Sequence, residues 1–297
     1  MKGTYIYKQN GIEIGRSENV ITTDGKKSIL QYLAGTNRDW ASHMVIGSIN
    51  TAATTSDKTL YYEVARSPIN LKSFSSTSPN LIVKSTFEPY FAANIYEVGI
   101  YPANNSATFG VRNDLIINDF SLQSAWTDSG SAITGQWTEY LAQSPTSPRI
   151  GMYSLTVPSN KTYTNSSTYF DLRGYTTIDT LDLLLGPITT TSDPKNFTIK
   201  FTNSAGDYAS LVYSLSANVN WQVKSLALTS DILNLKSISQ IDITTASGLT
   251  VKIDAMKINI AAEVDETNSL VSRSIPTTPI AKIYGAPLEI EYYLDLQ

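Results

Sequence analysis

A sugar-binding surface needs flat aromatic side chains with hydroxyl, amide and carboxylate groups beside them, because pyranose C–H faces pack on aromatic planes while sugar hydroxyls take hydrogen bonds. Between residues 116 and 261 the chain offers Trp126, Trp137, Tyr140, Tyr163, Tyr169 and Trp221. Trp137 and Tyr140 lie between Gly135 and Pro145, which predicts an exposed loop. Trp126 follows closely on an apolar strand and Trp221 sits inside another apolar run, so at both positions core filling competes with ligand contact. Trp137, Tyr140, Trp126 and Trp221 are the candidate carbohydrate contacts.

Bond-cutting chemistry finds less support. Asp179 and Asp182 are the nearest carboxylate pair inside a strand, and their spacing puts them on opposite faces, where they cannot flank one glycosidic bond. The insert from 116 to 261 carries a single Glu, Glu139. With 0 Cys there is no disulfide, thiolate metal site or cysteine nucleophile, and with His43 as the 1 histidine a multi-His zinc site is excluded. His43 has no evident acid or serine partner. No catalytic residue is assigned.

The elements that must position these side chains are read from composition and alternation. The chain has 297 residues, with 35 Ser, 34 Thr and 18 Tyr against only 16% charged residues, a mix that favours short strands, many turns and a hydroxyl-rich surface. A net charge of -4 and scattered Lys and Arg argue against a nucleic-acid partner. The first residues lack the apolar run of a secretion signal and no stretch suits a membrane span, so neither export nor membrane insertion is expected.

Asn10-Gly11 between two apolar-alternating runs predicts a hairpin. Thr23 or Asp24 is expected to cap a helix to about Ala34, with Ile29, Leu30 and Leu33 on its buried face and Gly35 as its stop. From 116 to 261, short alternating runs such as Phe197, Ile199 and Phe201 recur and predict a jelly-roll sandwich. The final run, Leu288, Ile290, Tyr292, Leu294 and Leu296, predicts a strand with one buried face and no partner inside that sandwich. The fold class is mainly β: a split β-rich domain with one helix, residues 1–115 and 262–297, interrupted by a β-sandwich jelly roll, 116–261.

The runs Asn19-Val-Ile-Thr-Thr-Asp-Gly25, Met44-Val-Ile-Gly47, Leu60-Tyr-Tyr-Glu-Val-Ala-Arg66, Ile95-Tyr-Glu-Val-Gly-Ile-Tyr101 and Val271-Ser-Arg-Ser-Ile-Pro-Thr-Thr-Pro-Ile-Ala-Lys282 resemble a domain of bacteriophage tail-fibre and baseplate-associated virion proteins. Glu63, Arg66, Glu97, Arg273 and Lys282 fall in these segments and are expected to form ion pairs and hydrogen bonds that fix strand ends. The insert, through Asn118-Asp-Phe120, Trp126 and Val251-Lys-Ile-Asp254, resembles jelly-roll carbohydrate-binding modules. That resemblance implies a structural calcium between first and last strands, with Asp119 and Asp254 as its acidic ligands and backbone carbonyls completing the cage. No cofactor is required.

The expectation is a non-enzymatic virion structural protein, a tail-fibre, baseplate or adhesin component made in the host cytoplasm. Its partners would be further copies of itself, other virion proteins and a host-surface glycan. The alternatives are a polysaccharide-degrading virion enzyme and a capsid decoration or spacer protein.

Overall fold

The computed structural model describes residues 2–36, 39–74, 80–88, 90–102, 115–142, 149–259 and 269–295; Pro145 and Leu296 lie outside them. The chain divides into two compact units, Met1–Asn113 with Glu263–Gln297, and Asp114–Ala262. No helix among the described residues is long and apolar enough to cross a membrane.

The first unit forms β1 (Lys2–Gln9), β2 (Ile12–Ile21), α1 (Thr23–Leu33), β3 (His43–Gly47), β4 (Glu63–Phe74), β5 (Asn80–Phe87), β6 (Ala93–Ile95) and β7 (Glu97–Tyr101). The second unit follows with β8 (Leu115–Asn118), β9 (Trp126–Asp128), β10 (Ser131–Ala132), β11 (Trp137–Glu139), β12 (Tyr153–Val157), β13 (Thr162–Asn165) and β14 (Phe170–Asp171). It continues through β15 (Thr180–Thr190), β16 (Lys195–Thr202), β17 (Tyr208–Leu215), β18 (Gln222–Ala227), α2 (Ser230–Asn234), β19 (Ser237–Ile238), β20 (Gln240–Thr245) and β21 (Leu249–Asn259). Then β22 (Ser272–Ser274), β23 (Ile280–Lys282) and β24 (Leu288–Asp295) return to the first unit.

That unit is a closed barrel in the order β1-β2-β22-β7-β3-β4-β5-β24. The β1–β2 hairpin turns through Asn10 and Gly11, both at positive φ (51° and 77°), the geometry that a tight hairpin demands and that Asn-Gly supplies. The alternating C-terminal strand β24 closes the barrel, pairing with β1 on one side and β5 on the other. Leu288, Ile290, Tyr292 and Leu294 are its buried residues. Tyr5 lies against Tyr292 with ring centroids 4.7 Å apart. A hydroxyl network runs beside them: Tyr7 to Ser17 at 2.8 Å, Ser274 to Ser17 at 2.7 Å, and Asn19 Nδ2 donating to the Tyr292 hydroxyl at 2.8 Å.

Helix α1 differs from expectation in two respects. Its cap is Thr22, whose hydroxyl accepts the Gly25 N–H at 2.9 Å, rather than Thr23 or Asp24. Its buried face is Gly25, Ser28 and Ile29, because Gly25 rests directly on the Val271 backbone; Leu30 and Leu33 are 59% and 68% exposed. Gly35, at φ +73°, ends the helix as expected.

The charged residues of the recurring motifs act as struts. Arg273 is fully buried; its Nη2 donates to Glu97 Oε2 at 2.8 Å, its Nη1 to Asp57 Oδ2 at 2.8 Å, and its Nη2 to the Thr51 carbonyl at 3.0 Å. Glu97 also accepts the N–H groups of Tyr61 and Tyr62. Burial pushes its carboxyl up, against the opposing pull of Arg273. Gly47 is required beside it, since a Cβ there would lie 2.5 Å from Glu97 Oε1. Arg66 pairs with Glu63 at 2.7 Å. The Lys282 ammonium donates to the carbonyls of Phe91 (3.0 Å) and Ala286 (2.9 Å), and burial pulls its pKa down to about 8.

The second unit is a β-sandwich of jelly-roll type. Sheet I runs β10-β9-β13-β20-β16-β17, and sheet II runs β11-β12-β21-β15-β18 with β8 paired to β21. Phe197, Ile199 and Phe201 of sheet I meet Leu181, Leu183, Val251 and Ile253 of sheet II in one core, with Thr198 and Lys200 on the outer side.

Candidate functional site

The sequence-derived candidates separate into core and surface. Trp126 is a correction: it is 1% exposed and stacked on Phe120 with centroids 5.0 Å apart, so it fills the sandwich and offers no face to a ligand. Trp137 is a second correction. It does not lie in a loop but opens β11, where it pairs with the core residue Leu155 and so shares its face. Its indole packs half-buried against the core and its Nε1 donates to the Ile133 carbonyl at 3.2 Å.

Trp221 and Tyr140 fall at opposite edges of sheet II. Tyr140 extends the β11 ladder by donating its N–H to the Met152 carbonyl at 2.8 Å, and strand alternation carries it to the face opposite Trp137. Trp221 precedes β18, whose Gln222 pairs with Leu185, and this brings the indole beside Gly186. A Cβ on Gly186 would lie 3.2 Å from Trp221 Cη2 and 3.0 Å from Lys252 Cδ. The missing side chain thus lets the indole and the Lys252 stem converge over β15. Thr156 pairs directly with Lys252 and extends the row across the sheet. From above, the Arg149 guanidinium carbon stands 5.6 Å from the Trp221 ring centroid. Burial lowers the Lys252 pKa, opposed by the nearby Asp254 charge.

The row Thr156, Lys252, Gly186 and Trp221 sets a half-buried indole beside the Lys252 stem, with Arg149, itself only 5% exposed, lying over the ring. Such a surface can hold a sugar ring by C–H contact with the indole and bind its hydroxyls at the edges. Arg149, Lys252 and Gly186 were not candidates from the sequence. A glycine inside the alternating run Leu181 to Thr190 was the available signal, since a strand-interior glycine marks a close approach.

Asp254 lies one strand position from this row and is fully buried. Its Oδ2 accepts the N–H groups of Arg149 (2.6 Å) and Ile150 (3.1 Å), while its Oδ1 has no partner among the described residues. Burial raises its pKa well above the usual carboxylate range, and the charge of Asp119 pushes the same way. Asp119 follows β8, which pairs with β21, the strand that carries Asp254. Gly151, at φ +68°, brings the backbone close enough that a Cβ would sit 2.8 Å from the Asp119 carbonyl and 3.1 Å from its Oδ2. Among the described residues no three acidic, His or Cys side chains form a metal-binding group. Asp119 Oδ1 accepts the Ser121 N–H (3.1 Å) and its Oδ2 the Ser121 hydroxyl (2.9 Å), so the orphaned Asp254 Oδ1 is the buried oxygen that could take a hard-oxygen cation such as calcium, with Asp119 near enough for its charge to be felt.

The carboxylate pair Asp179 and Asp182 makes local hydrogen bonds. Asp179 accepts the Thr176 N–H at 2.7 Å within a turn, and Asp182 accepts the Thr180 hydroxyl at 2.7 Å. His43 does have a neighbour: the Ser42 hydroxyl lies 2.9 Å from its Nδ1. This is a contact between adjacent residues, and Asp39, the nearby acid, is held by Lys72 and the Ala41 N–H. Burial lowers the His43 pKa and the Arg66 charge adds to that.

No protein-family model and no curated protein matches the chain. Among solved structures, similarity is found to the xylanase 10B of Clostridium thermocellum, with its carbohydrate-binding and catalytic modules and xylohexaose (10% identity, 51% of this chain, 29% of that one, TM-score 0.33). The match therefore spans less than a third of the xylanase chain. A family 11 carbohydrate-binding module from a cellulosomal cellulase of the same organism matches at 17% identity over 50% of this chain and 95% of its own, TM-score 0.29. The enzymatically active domain of bacteriophage CBA120 tailspike protein 4 matches at 11% identity over 48% and 20%, TM-score 0.28.

Proposed function

We propose that the chain is a non-enzymatic virion structural protein whose sandwich unit binds host-surface glycan through the outer face of sheet II. The observation that carries the glycan reading is the Trp221 indole, brought beside the Lys252 stem by Gly186 and faced by Arg149. Binding consists of C–H contact on the open part of the indole and hydrogen bonds from Lys252 and Thr156 to sugar hydroxyls, with Arg149 holding the ring in place and no bond broken. Calcium, held by Asp119 and Asp254, would neutralise the buried carboxylate and reinforce the pairing of β8 with β21. The virion role is supported by the segment resemblances, whose charged residues form the struts of the barrel. Many copies on one particle would raise avidity without tight single sites. Retention of the chain on polysaccharide gels and glycan arrays, with release of reducing ends at background, tests the binding reading; steady release of reducing ends would make it an enzyme instead. Mass spectrometry of purified particles tests the virion role.

A further inference from the structure

We propose that β17 is a self-pairing edge: a second copy of the chain adds its own β17 antiparallel about a twofold axis, joining the two copies of sheet I into one continuous sheet. β17 ends the order of sheet I, and its ladder with β16 runs from Tyr208 to Leu215 without a register shift. Just before it, the Asn203 N–H donates to the Asp207 carbonyl at 3.0 Å, which aims the Asp207 backbone at the β16 side. Backbone groups alternate in direction along an antiparallel strand, so the N–H and C=O of Tyr208, Ser210, Val212 and Ser214 point away from β16. The side chains of the same residues are exposed, Tyr208 at 68% and Val212 at 50%, while Ala209, Leu211, Tyr213 and Leu215 face the core. Helix α2 enters that core through Ile232 and leaves the exposed row open.

The other outer strands of the sandwich discourage pairing. β10, β11 and β8 are 2, 3 and 4 residues long, and β18 carries Lys224. By contrast β17, Tyr-Ala-Ser-Leu-Val-Tyr-Ser-Leu, runs 8 residues with no charge, proline or glycine, so its unpaired amides and carbonyls form a template for another strand. A second copy fits because the row is self-complementary. With Leu211 on the twofold axis, Val212 stands opposite Ser210 of the second copy and Tyr208 opposite Ser214, and every outward N–H and C=O finds a partner. Antiparallel pairing also sets Asp207 of one copy beside Leu215 of the other, whose β16 neighbour is Lys195, so unlike charges meet at both ends. Parallel pairing would instead set Asp207 against Asp207.

Sedimentation velocity and native mass spectrometry of the full chain across concentrations test this. The expected result is a monomer–dimer equilibrium whose dissociation constant rises about tenfold or more in Val212→Lys. Tyr169→Lys, the same change of charge at a residue 75% exposed and outside β17, should leave that equilibrium in place. Val212 is exposed and its N–H lies outside the β16 ladder, so an unchanged circular dichroism spectrum will show that its variant is folded. Register is read by a disulfide. The chain holds 0 Cys, and pairing about Leu211 brings residues 210 and 212 of opposite copies to about 5.5 Å between Cα atoms, within reach of a bridge. The double variant Ser210→Cys/Val212→Cys should therefore oxidise to a covalent dimer, and Tyr169→Cys should not. A monomer at every concentration would overturn self-pairing, as would a dimer that Val212→Lys leaves intact. A dimer lost in Val212→Lys whose double cysteine variant forms no bridge would overturn the twofold register.

Discussion

At the scale of single residues, two tryptophans have exchanged the roles their sequence positions suggest. Trp137 is part of the core edge, so Trp137→Ala should destabilise the sandwich by about 2 kcal/mol or more, read as a lower urea midpoint, as large-to-small core changes do. Trp221 is half-buried on the surface row, so Trp221→Ala should leave that midpoint nearly unchanged and act on binding. The exchange was not legible because Gly135 and Pro145 suggested a loop where the ladder with β12 in fact begins. Asp254 offers a second residue-level test. Burial and Asp119 raise its folded pKa, while the unfolded carboxyl titrates near about 4. The folded state then holds the proton to higher pH, so without metal this group's contribution to stability falls as pH rises from about 4 through the folded pKa. Urea midpoints measured with chelator should show that decline, calcium should remove it, and Asp254→Asn should abolish both the decline and the calcium effect. A chelator-insensitive midpoint in the unaltered protein would leave Asp254 without a metal.

At the scale of elements, β24 and Arg273 carry the barrel. Both reach it only after the chain has passed through the second unit, and both were legible: β24 by its strict alternation, Arg273 by its place among the recurring segments. Removing residues 287–297 strips a ladder from β1 and from β5 at once, so the barrel should lose cooperative unfolding and amide protection. Arg273→Ala should cost about 3–5 kcal/mol, because it leaves Glu97 buried without its partner. A fragment of residues 114–262 should fold by itself, checked by a single cooperative thermal transition. The buried face of α1 was not legible. Leu30 and Leu33 have the right period for a core stripe, but the helix docks through a glycine set against the Val271 backbone, a contact that no hydrophobic pattern reports.

At the scale of the whole molecule, the sequence conveyed the β class and the interrupted order of segments, because strand alternation and turn residues are local signals. It did not convey the Trp221 row, whose members come from three strands and two loops and meet only through pairing register. A hydroxyl-rich surface of low charge suits close packing of copies, and symmetric self-association is expected by light scattering across concentrations. Glycan binding by the outer face of sheet II is proposed to run through Trp221. Its most direct test is retention on host-surface polysaccharide of the unaltered chain, Trp221→Ala and Trp137→Phe. Trp221→Ala should lose affinity about tenfold or more, roughly 1.4 kcal/mol, while Trp137→Phe should bind as the unaltered chain does. Equal retention of Trp221→Ala and the unaltered chain on every polysaccharide that binds would contradict it.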